Sequence, residues 1–215
     1  MPDLSFQVEK AEPQRFTVAP TLLFKLRITN ATANETVHSA ALRCQIQLEV
    51  TRRQYSPEDQ AHLRDLFGAP DRWSQTLKNM LWTHASIVAP AFQGSAVVDL
   101  PVPCTFDFNV AATKYFHGLG EGDVPLNFLF SGTVFYGDGE ALQVAPIPWD
   151  KEARFRLPVK AWHEMMDIYY PNTAWLCLRR DVFERLHEHK VQNGIPTWEQ
   201  LFETMLPALE ESVKR

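Results

Sequence analysis

Alternating apolar and polar positions dominate the first two thirds of the chain. Every second residue from Leu22 to Ile28 is apolar, and the same alternation is cleaner from Leu42 to Val50. A two-residue period is typical of strands that bury one face and expose the other, as antiparallel sheets allow. The polar residues between these two runs predict a turn, so we expect the two strands to form a hairpin.

Further segments with a two-residue period follow between residues 96 and 160. They are Ala96–Val102, Val124–Tyr136, Leu142–Val144 and Phe155–Val159. Pro101 and Pro103 have no backbone N–H donor, which favours an edge strand or a crossing between two sheets at that point. Gly132 predicts a bulge within the longest of these segments.

Helical signals interrupt the β-rich region at about residues 56–80. Ser56 and Pro57 predict a helix start, because a capping hydroxyl there precedes a proline at the first helical position. An apolar stripe then runs from Leu63 to Phe67, and Gly68 predicts the end of the helix.

The period of the apolar positions changes after residue 160. Trp162, Met165, Met166 and Tyr169 follow the spacing of an amphipathic helix, and later segments repeat that spacing. We therefore predict a β-sandwich domain over residues 1–160 and a helical segment over residues 161–215 docked on it. The fold class is mainly β, an antiparallel two-sheet sandwich of immunoglobulin-like or related topology with helical insertions.

Composition and charge exclude several classes of protein. The 215-residue chain is 45% hydrophobic and contains 14 Phe and 6 Trp, which is too much apolar surface for a disordered chain. Its formal net charge of −5 argues against a nucleic-acid-binding protein. No signal peptide and no apolar segment of membrane-spanning length is visible. These features predict a cytoplasmic protein without a membrane span.

The sequence contains no recognisable catalytic, metal-binding or cofactor-binding motif. His163 and Glu164 resemble half of a zinc-binding helix, but the second histidine of that motif is absent. Cys44, Cys104 and Cys177 are too few and too widely spaced for a disulfide framework or a zinc site. We therefore predict no catalytic residue, no metal and no cofactor.

Two segments combine large aromatic rings with proline at the ends of predicted elements, at residues 67–73 and 169–175. Within them, Trp73, Tyr170 and Trp175 are the candidate binding residues, because aromatic side chains dominate the energetics of protein interfaces. The alternative is that these rings pack the helices onto the sandwich, since most Trp and Tyr side chains are mainly buried.

Five blocks of the sequence resemble one bacterial family whose members are encoded beside nickel–iron hydrogenase genes. The blocks are LRCQIQLEVTRRQYSPED, DLFGAPDRW, DLPVPCTFDFNVAATKYFHGL, VPLNFLFSGTVFY and GIPTWEQLFETML. The resemblance covers nearly the whole chain, and it carries no catalytic motif or site residue. It implies an accessory, assembly or electron-chain-associated protein for a hydrogenase.

Three functional hypotheses follow. The first is a non-enzymatic accessory protein that binds another protein, such as a hydrogenase subunit or a maturation factor. The second is a chaperone-like β-sandwich module that binds a peptide or small ligand, for which an apolar groove beside an unpaired edge strand would be evidence. The third is an enzyme using Cys104 or His163, which requires a thiol, an imidazole and a carboxylate within hydrogen-bonding distance.

Overall fold

A computed structural model describes residues 1–32, 35–107, 110–137 and 141–213. Within these ranges the chain forms eight strands and seven α-helices. The strands are β1 (Leu4–Gln14), β2 (Thr21–Asn30), β3 (Val37–Leu48), β4 (Met80–Ala89), β5 (Ser95–Pro103), β6 (Asp123–Tyr136), β7 (Gln143–Pro146) and β8 (Glu152–Pro158). The helices are α1 (Pro57–His62), α2 (Arg64–Phe67), α3 (Trp73–Thr76), α4 (Ala111–His117), α5 (Val159–Tyr169), α6 (Arg180–Gln192) and α7 (Trp198–Val213).

The strands form two antiparallel sheets that pack face to face. The first sheet has the order β1-β2-β5, and the second has the order β4-β3-β6, with β7 and β8 both pairing with the far side of β6. Ring contacts join the two sheets: Phe6 stacks on Phe130 at 4.2 Å, and Phe24 meets Phe128 edge to face at 5.2 Å between centroids. The predicted antiparallel β-sandwich is confirmed.

The predicted alternation of β2 and β3 places their apolar residues in the core between the sheets. Every second residue from Leu22 to Ile28 is fully buried, and so is Ile46 on β3. Burying a large aliphatic or aromatic side chain contributes roughly 1.5–3 kcal/mol relative to leaving it in water. The predicted hairpin between these strands is wrong, because β2 and β3 lie in different sheets. The intervening segment therefore crosses from one sheet to the other.

The strands β1 and β4, which the apolar pattern did not predict, are both edge strands. On β1 the alternation holds only from Leu4 to Val8, and the register then shifts between Val8 and Lys10. On β4 a register shift lies at Trp82, because Thr83 pairs with Ile46 and Leu81 pairs with Gln47. Each irregularity interrupts the two-residue period on which strand recognition depends.

Gly132 allows a close approach between the two central strands of the second sheet. The pairing of β3 with β6 continues without a shift through Leu42 and Gly132, so the bulge predicted there is wrong. A Cβ atom at Gly132 would lie 2.0 Å from the carbonyl oxygen of Ala41, and its φ is 143°. Only glycine fits at this position without moving the backbone of β3.

The helical insertion begins as the sequence predicts and packs its apolar side chains against the sandwich core. The backbone N–H of Asp59 donates to Oγ of Ser56 at 3.0 Å, and the Asp59 carboxylate accepts from the Ser56 backbone N–H in return. Leu63, Phe67 and Trp73 are all buried. A short helix of this kind gains most of its stability from such packing.

The chain divides into two compact units, Met1–Trp175 and Leu176–Arg215. Helix α5 belongs to the first unit, since Val159, Trp162, Met165 and Met166 are part of the sandwich core. The division therefore lies after Trp175, whereas the sequence pattern placed it at residue 160. In the second unit α6 and α7 contact each other through Phe183 and Trp198, at 5.2 Å between rings. Among the described residues, none of the helices combines the length and apolarity of a membrane span.

Candidate functional site

The segment that follows α5 gathers several aromatic rings at one end of the sandwich. Helix α5 ends at Tyr169, because Pro171 disfavours helical conformation at the residue before it. Tyr170 then stacks on Phe106 at 5.4 Å with an interplanar angle of 10°, and the Trp175 ring lies 5.0 Å from Tyr170. A β-bridge between Asp107 and Trp175 fixes the end of the segment. The structure therefore brings two of the three predicted binding residues together.

Phe106 and Tyr170 line a cavity of about 460 Å³, which we call the aromatic cleft, and Trp175 lies beside it through its contact with Tyr170. Phe106, Trp162, Met166 and Tyr170 supply its apolar part, and His117, His163 and Asp167 supply polar groups. A cavity of this size and mixed character is typical of binding sites for a small molecule or a few side chains. The side chains that line the cleft could bind an apolar or aromatic group that carries polar atoms at its edge.

The surroundings of His117 in the cleft disfavour a positive charge on its imidazole. Partial burial lowers the pKa of His117, and the nearby imidazoles of His163 and His62 lower it further. Nε2 of His163 lies 3.3 Å from the carbonyl oxygen of Phe116. The surroundings of His117 therefore favour its uncharged form.

A continuous series of ring contacts supports the cleft from the core. From β2 outward, each ring meets the next at centroid distances of 5.0 to 6.4 Å. The series runs Phe24, Trp82, Phe116, Trp162, Phe106, Tyr170 and Trp175. Buried aromatic rings in contact hold each other in narrow ranges of orientation. The exposed end of the series is therefore a preformed surface.

The three predicted binding residues differ sharply in exposure. Trp175 is 55% exposed, and Tyr170 is half-buried with Phe106 beneath it. Trp73 is only 7% exposed, and its Nε1–H donates to the carbonyl oxygen of Gly68 at 3.0 Å. Its ring meets Tyr55 at 5.2 Å, away from the aromatic cleft. We retain Tyr170 and Trp175 as candidate binding residues and place Trp73 in the core.

The tip of the β1–β2 hairpin, which the sequence analysis did not single out, adds two apolar side chains at this end of the sandwich. Phe16 and Val18 are fully exposed, and Phe16 has a left-handed φ of 63°. Between them, the Thr17 N–H donates to the Tyr169 hydroxyl at 3.0 Å, and that hydroxyl donates to the carbonyl oxygen of Gln14 at 2.8 Å. A bulky residue at positive φ is strained, and the surrounding contacts must hold it there.

Neither buried cysteine is suited to nucleophilic chemistry at neutral pH. Burial raises the pKa of both the Cys44 and the Cys104 thiols to about 12, so both remain protonated. Cys177 is exposed. Among the described residues, no group of three or more His, Cys, Asp or Glu side chains has a geometry that could hold a metal ion.

A further cavity, of about 750 Å³, is lined in part by a buried ion pair. Arg53 and Asp59 are 3.3 Å apart, and their side chains are each 7% exposed. Arg53 also donates to the carbonyl oxygen of Asp123 at 2.6 Å, while Asp59 accepts from the N–H of Gly120 at 3.0 Å. These bonds fix the loop before β6 against α1, so they account for the ion pair as a structural element.

Comparison with known proteins places this geometry in context. No curated protein matches the chain. Among solved structures, it is similar to the CARDB domain of a Pyrococcus furiosus protein, crystallised in complex with di-metal ions. That similarity has 13% identity and a TM-score of 0.28, and it covers 73% of this chain and 92% of the other. A family model, described as a family of unknown function (DUF6084), matches residues 1–214.

Proposed function

Since the chain belongs to the DUF6084 family, whose function is unknown, we propose a role from its own surface. The proposed role is a non-enzymatic accessory protein that binds another protein through the aromatic cleft. The observation that carries this proposal is the contact of exposed Trp175 with half-buried Tyr170, the ring that lines the aromatic cleft. Tyr and Trp are enriched among the residues that contribute most to protein interfaces.

The arrangement of the two rings favours a protein partner. Tyr170 is held from below by Phe106, so binding does not have to fix its ring. Trp175 still exposes more than half of its surface, which a partner can remove from water. An aromatic side chain in such a position contributes on the order of 2 kcal/mol or more once the partner excludes water around it.

The proposed partner is a hydrogenase subunit or a hydrogenase maturation factor in the bacterial cytoplasm. This part of the proposal rests on the resemblance of the five sequence blocks to a family encoded beside nickel–iron hydrogenase genes. Gene neighbourhood indicates a shared process. The aromatic cleft is the surface through which we propose that the two proteins bind each other.

The test compares two exposed tryptophans and one buried tryptophan. The Trp175→Ala variant should keep the wild-type melting temperature. When the tagged protein is purified from its native host, the variant should recover at least tenfold less partner. A loss of about 1.4 kcal/mol in binding free energy lowers the affinity by a factor of ten. Trp149, which is 92% exposed and lies outside the cleft, provides the matched control Trp149→Ala, with both properties unchanged.

The third variant tests the assignment of Trp73. Trp73→Ala should destabilise the protein by about 3–5 kcal/mol, as large aromatic-to-alanine changes in a core do. Mass spectrometry identifies the recovered partner. Equal recovery with Trp175→Ala and wild type would overturn the cleft as the binding site. A hydrogenase that is never recovered, together with unchanged hydrogenase assembly after gene deletion, would overturn the proposed partner.

A further inference from the structure

The outer edge of β4 has unpaired backbone groups along a strand of ten residues. Among the described residues, β3 is the one strand that pairs with β4, so the opposite edge has no partner. In an antiparallel pair, about half of the backbone N–H and C=O groups of an edge strand point away from its neighbour. The segment from Met80 to Ala89 contains no charged residue and no proline.

The other outer strands carry features that discourage pairing. Charged residues, proline and bulges on an edge strand prevent unwanted strand addition, as does short length. β1 has a register shift and several charged residues, β5 has one charge and two prolines, β7 is four residues long, and β8 is charged. The residues are Glu9, Lys10, Glu12 and Pro13 on β1, Asp99, Pro101 and Pro103 on β5, and Glu152, Arg154 and Arg156 on β8. β4 lacks such protection apart from its own register shift.

That register shift on β4 builds an apolar cavity beside the open edge. Trp82 lies at the shift and turns toward the space between the sheets, 5.0 Å from the Phe116 ring. With Thr83, Pro103, Cys104 and Trp162 it lines a cavity of about 260 Å³, which we call the β4 groove. The groove lies where β4 and β5, the edge strands of the two sheets, approach each other. A bulge at a sheet edge commonly redirects a side chain in this way.

We propose that β4 binds an extended, uncharged peptide segment of another protein, added as a further strand with one bulky apolar side chain in the β4 groove. Strand addition supplies backbone hydrogen bonds, and the pocket beside the strand selects the side chain. The outer face of β4 has no formal charge, which matches an uncharged segment. This surface is separate from the Tyr170–Trp175 surface, although Trp162 lines both cavities.

A second copy of the chain fits this surface less well than a separate peptide. The side chains of β4 that face between the sheets include Ala85 and Ala89, which are buried in their own core. Trp82 likewise packs against Phe24 and Phe116 of its own molecule. The exposed apolar side chains of β4, Leu81 and Val88, lie on the face away from the core, so two β4 strands that paired with each other would place neither in a groove. An extended segment from elsewhere has side chains available for that position.

The experiment uses the full chain and a fluorescent, uncharged nonapeptide of threonine, serine and valine with a central phenylalanine. Hydrogen exchange followed by mass spectrometry should show slower exchange over residues 80–89 when the peptide is present, with no change over residues 4–14 of the protected edge β1. Replacing the central phenylalanine with aspartate should weaken binding at least tenfold, because the groove is lined by apolar groups.

Variants of the protein separate this surface from the aromatic cleft. Thr83→Lys places a charge at the groove and should weaken peptide binding at least tenfold, whereas Thr133→Lys on β6 provides a matched control with unchanged binding. Trp175→Ala should bind the peptide like wild type, so failure of the cleft proposal leaves this one intact. Melting temperatures confirm that each variant is folded.

Three results would overturn the proposal. The first is that the phenylalanine peptide does not bind. The second is that the peptide slows hydrogen exchange only in residues outside 80–89. The third is a concentration-dependent dimer in sedimentation with residues 80–89 already protected, which would assign the edge to a second copy.

Discussion

Trp73 and Trp175 lie in two different environments, one buried and one at the surface. Trp73 is buried and donates to the Gly68 carbonyl oxygen, so its polar atom is satisfied within the core. Trp175 lies at the surface, beside Tyr170. A buried aromatic ring stabilises a fold most when its polar atom also has a partner. The two residues occur in similar aromatic–proline segments, so their roles depend on distant contacts rather than on local sequence.

The buried thiols make stability depend on pH in the alkaline range. Burial raises the pKa of Cys44 and Cys104 from a usual value of 9.0 to about 12. Well below pH 9 both the folded and the unfolded chain keep these protons, so the stability that the buried, protonated thiols contribute is fully present. As the pH rises through 9 the unfolded chain loses them first, so the free energy of unfolding should fall as the pH rises toward 12, by about 1.4 kcal/mol per thiol between pH 8 and pH 10.

Urea unfolding at pH 8, 9 and 10 measures this dependence. Tyrosines and lysines titrate in the same range, so the informative comparison is with the double variant Cys44→Ala and Cys104→Ala. That variant should lose less stability between pH 8 and pH 10 than the wild type does. An equal loss in both proteins would show that the thiols do not contribute.

At the scale of the element, central strands could be predicted from the sequence and two edge strands could not. β2 and β3 have neighbours on both sides, and every second residue from Leu22 to Ile28 and from Ala40 to Leu48 is buried, so the two-residue period is visible. β1 and β4 each contain a register shift, and β1 also carries charges toward its end. The features that suit a strand to an edge are those that hide it from pattern recognition.

The candidate site was predictable only where its residues lie in one segment. Tyr170 and Trp175 are five positions apart, and the proline between them indicates the end of a helix. Phe16 and Val18 reach the same end of the sandwich through contacts between Thr17 and Tyr169, which lie 152 residues apart in the sequence. No local pattern encodes a contact of that separation.

The hydroxyl of Tyr169 anchors the hairpin between β1 and β2. It contacts the Thr17 N–H, the Thr17 hydroxyl at 2.5 Å and the Gln14 carbonyl oxygen. Tyr169→Phe removes these bonds and keeps the ring, so we expect a loss of about 1–2 kcal/mol in unfolding free energy. We also expect faster amide exchange over residues 14–18. Tyr170→Phe is the matched control, because its hydroxyl does not bond to the tip; equal exchange in the two variants would contradict the anchoring role.

At the scale of the whole molecule, the first unit contains the continuous hydrophobic core. That core includes Val159, Trp162, Met165 and Met166 of α5, while the described side chains of α6 include no buried residue. A chain truncated after Trp175 should therefore fold, with the far-ultraviolet spectrum of a β-rich protein and one cooperative thermal transition. A chain truncated after Pro158 loses the buried face of α5 and should not unfold cooperatively.

Circular dichroism with thermal unfolding measures both truncated chains beside the full-length protein. The shorter chain serves as the control, because it keeps all eight strands but lacks α5 and the segment of residues 170–175. If the chain ending at Trp175 shows no cooperative transition, the first unit does not carry its own stability.

The anchor between Tyr169 and Thr17 also sets an order of events during synthesis. The β1–β2 hairpin leaves the ribosome before α5, so its tip cannot acquire the Tyr169 hydrogen bonds until the end of α5 has emerged, 152 residues after Thr17. Contacts of such long separation slow folding, because the chain must lose much of its freedom before they form. Until Tyr169 has emerged, Phe16 and Val18 therefore belong to a loop without this anchor, and the last residues of α5 complete the geometry of the β1–β2 hairpin.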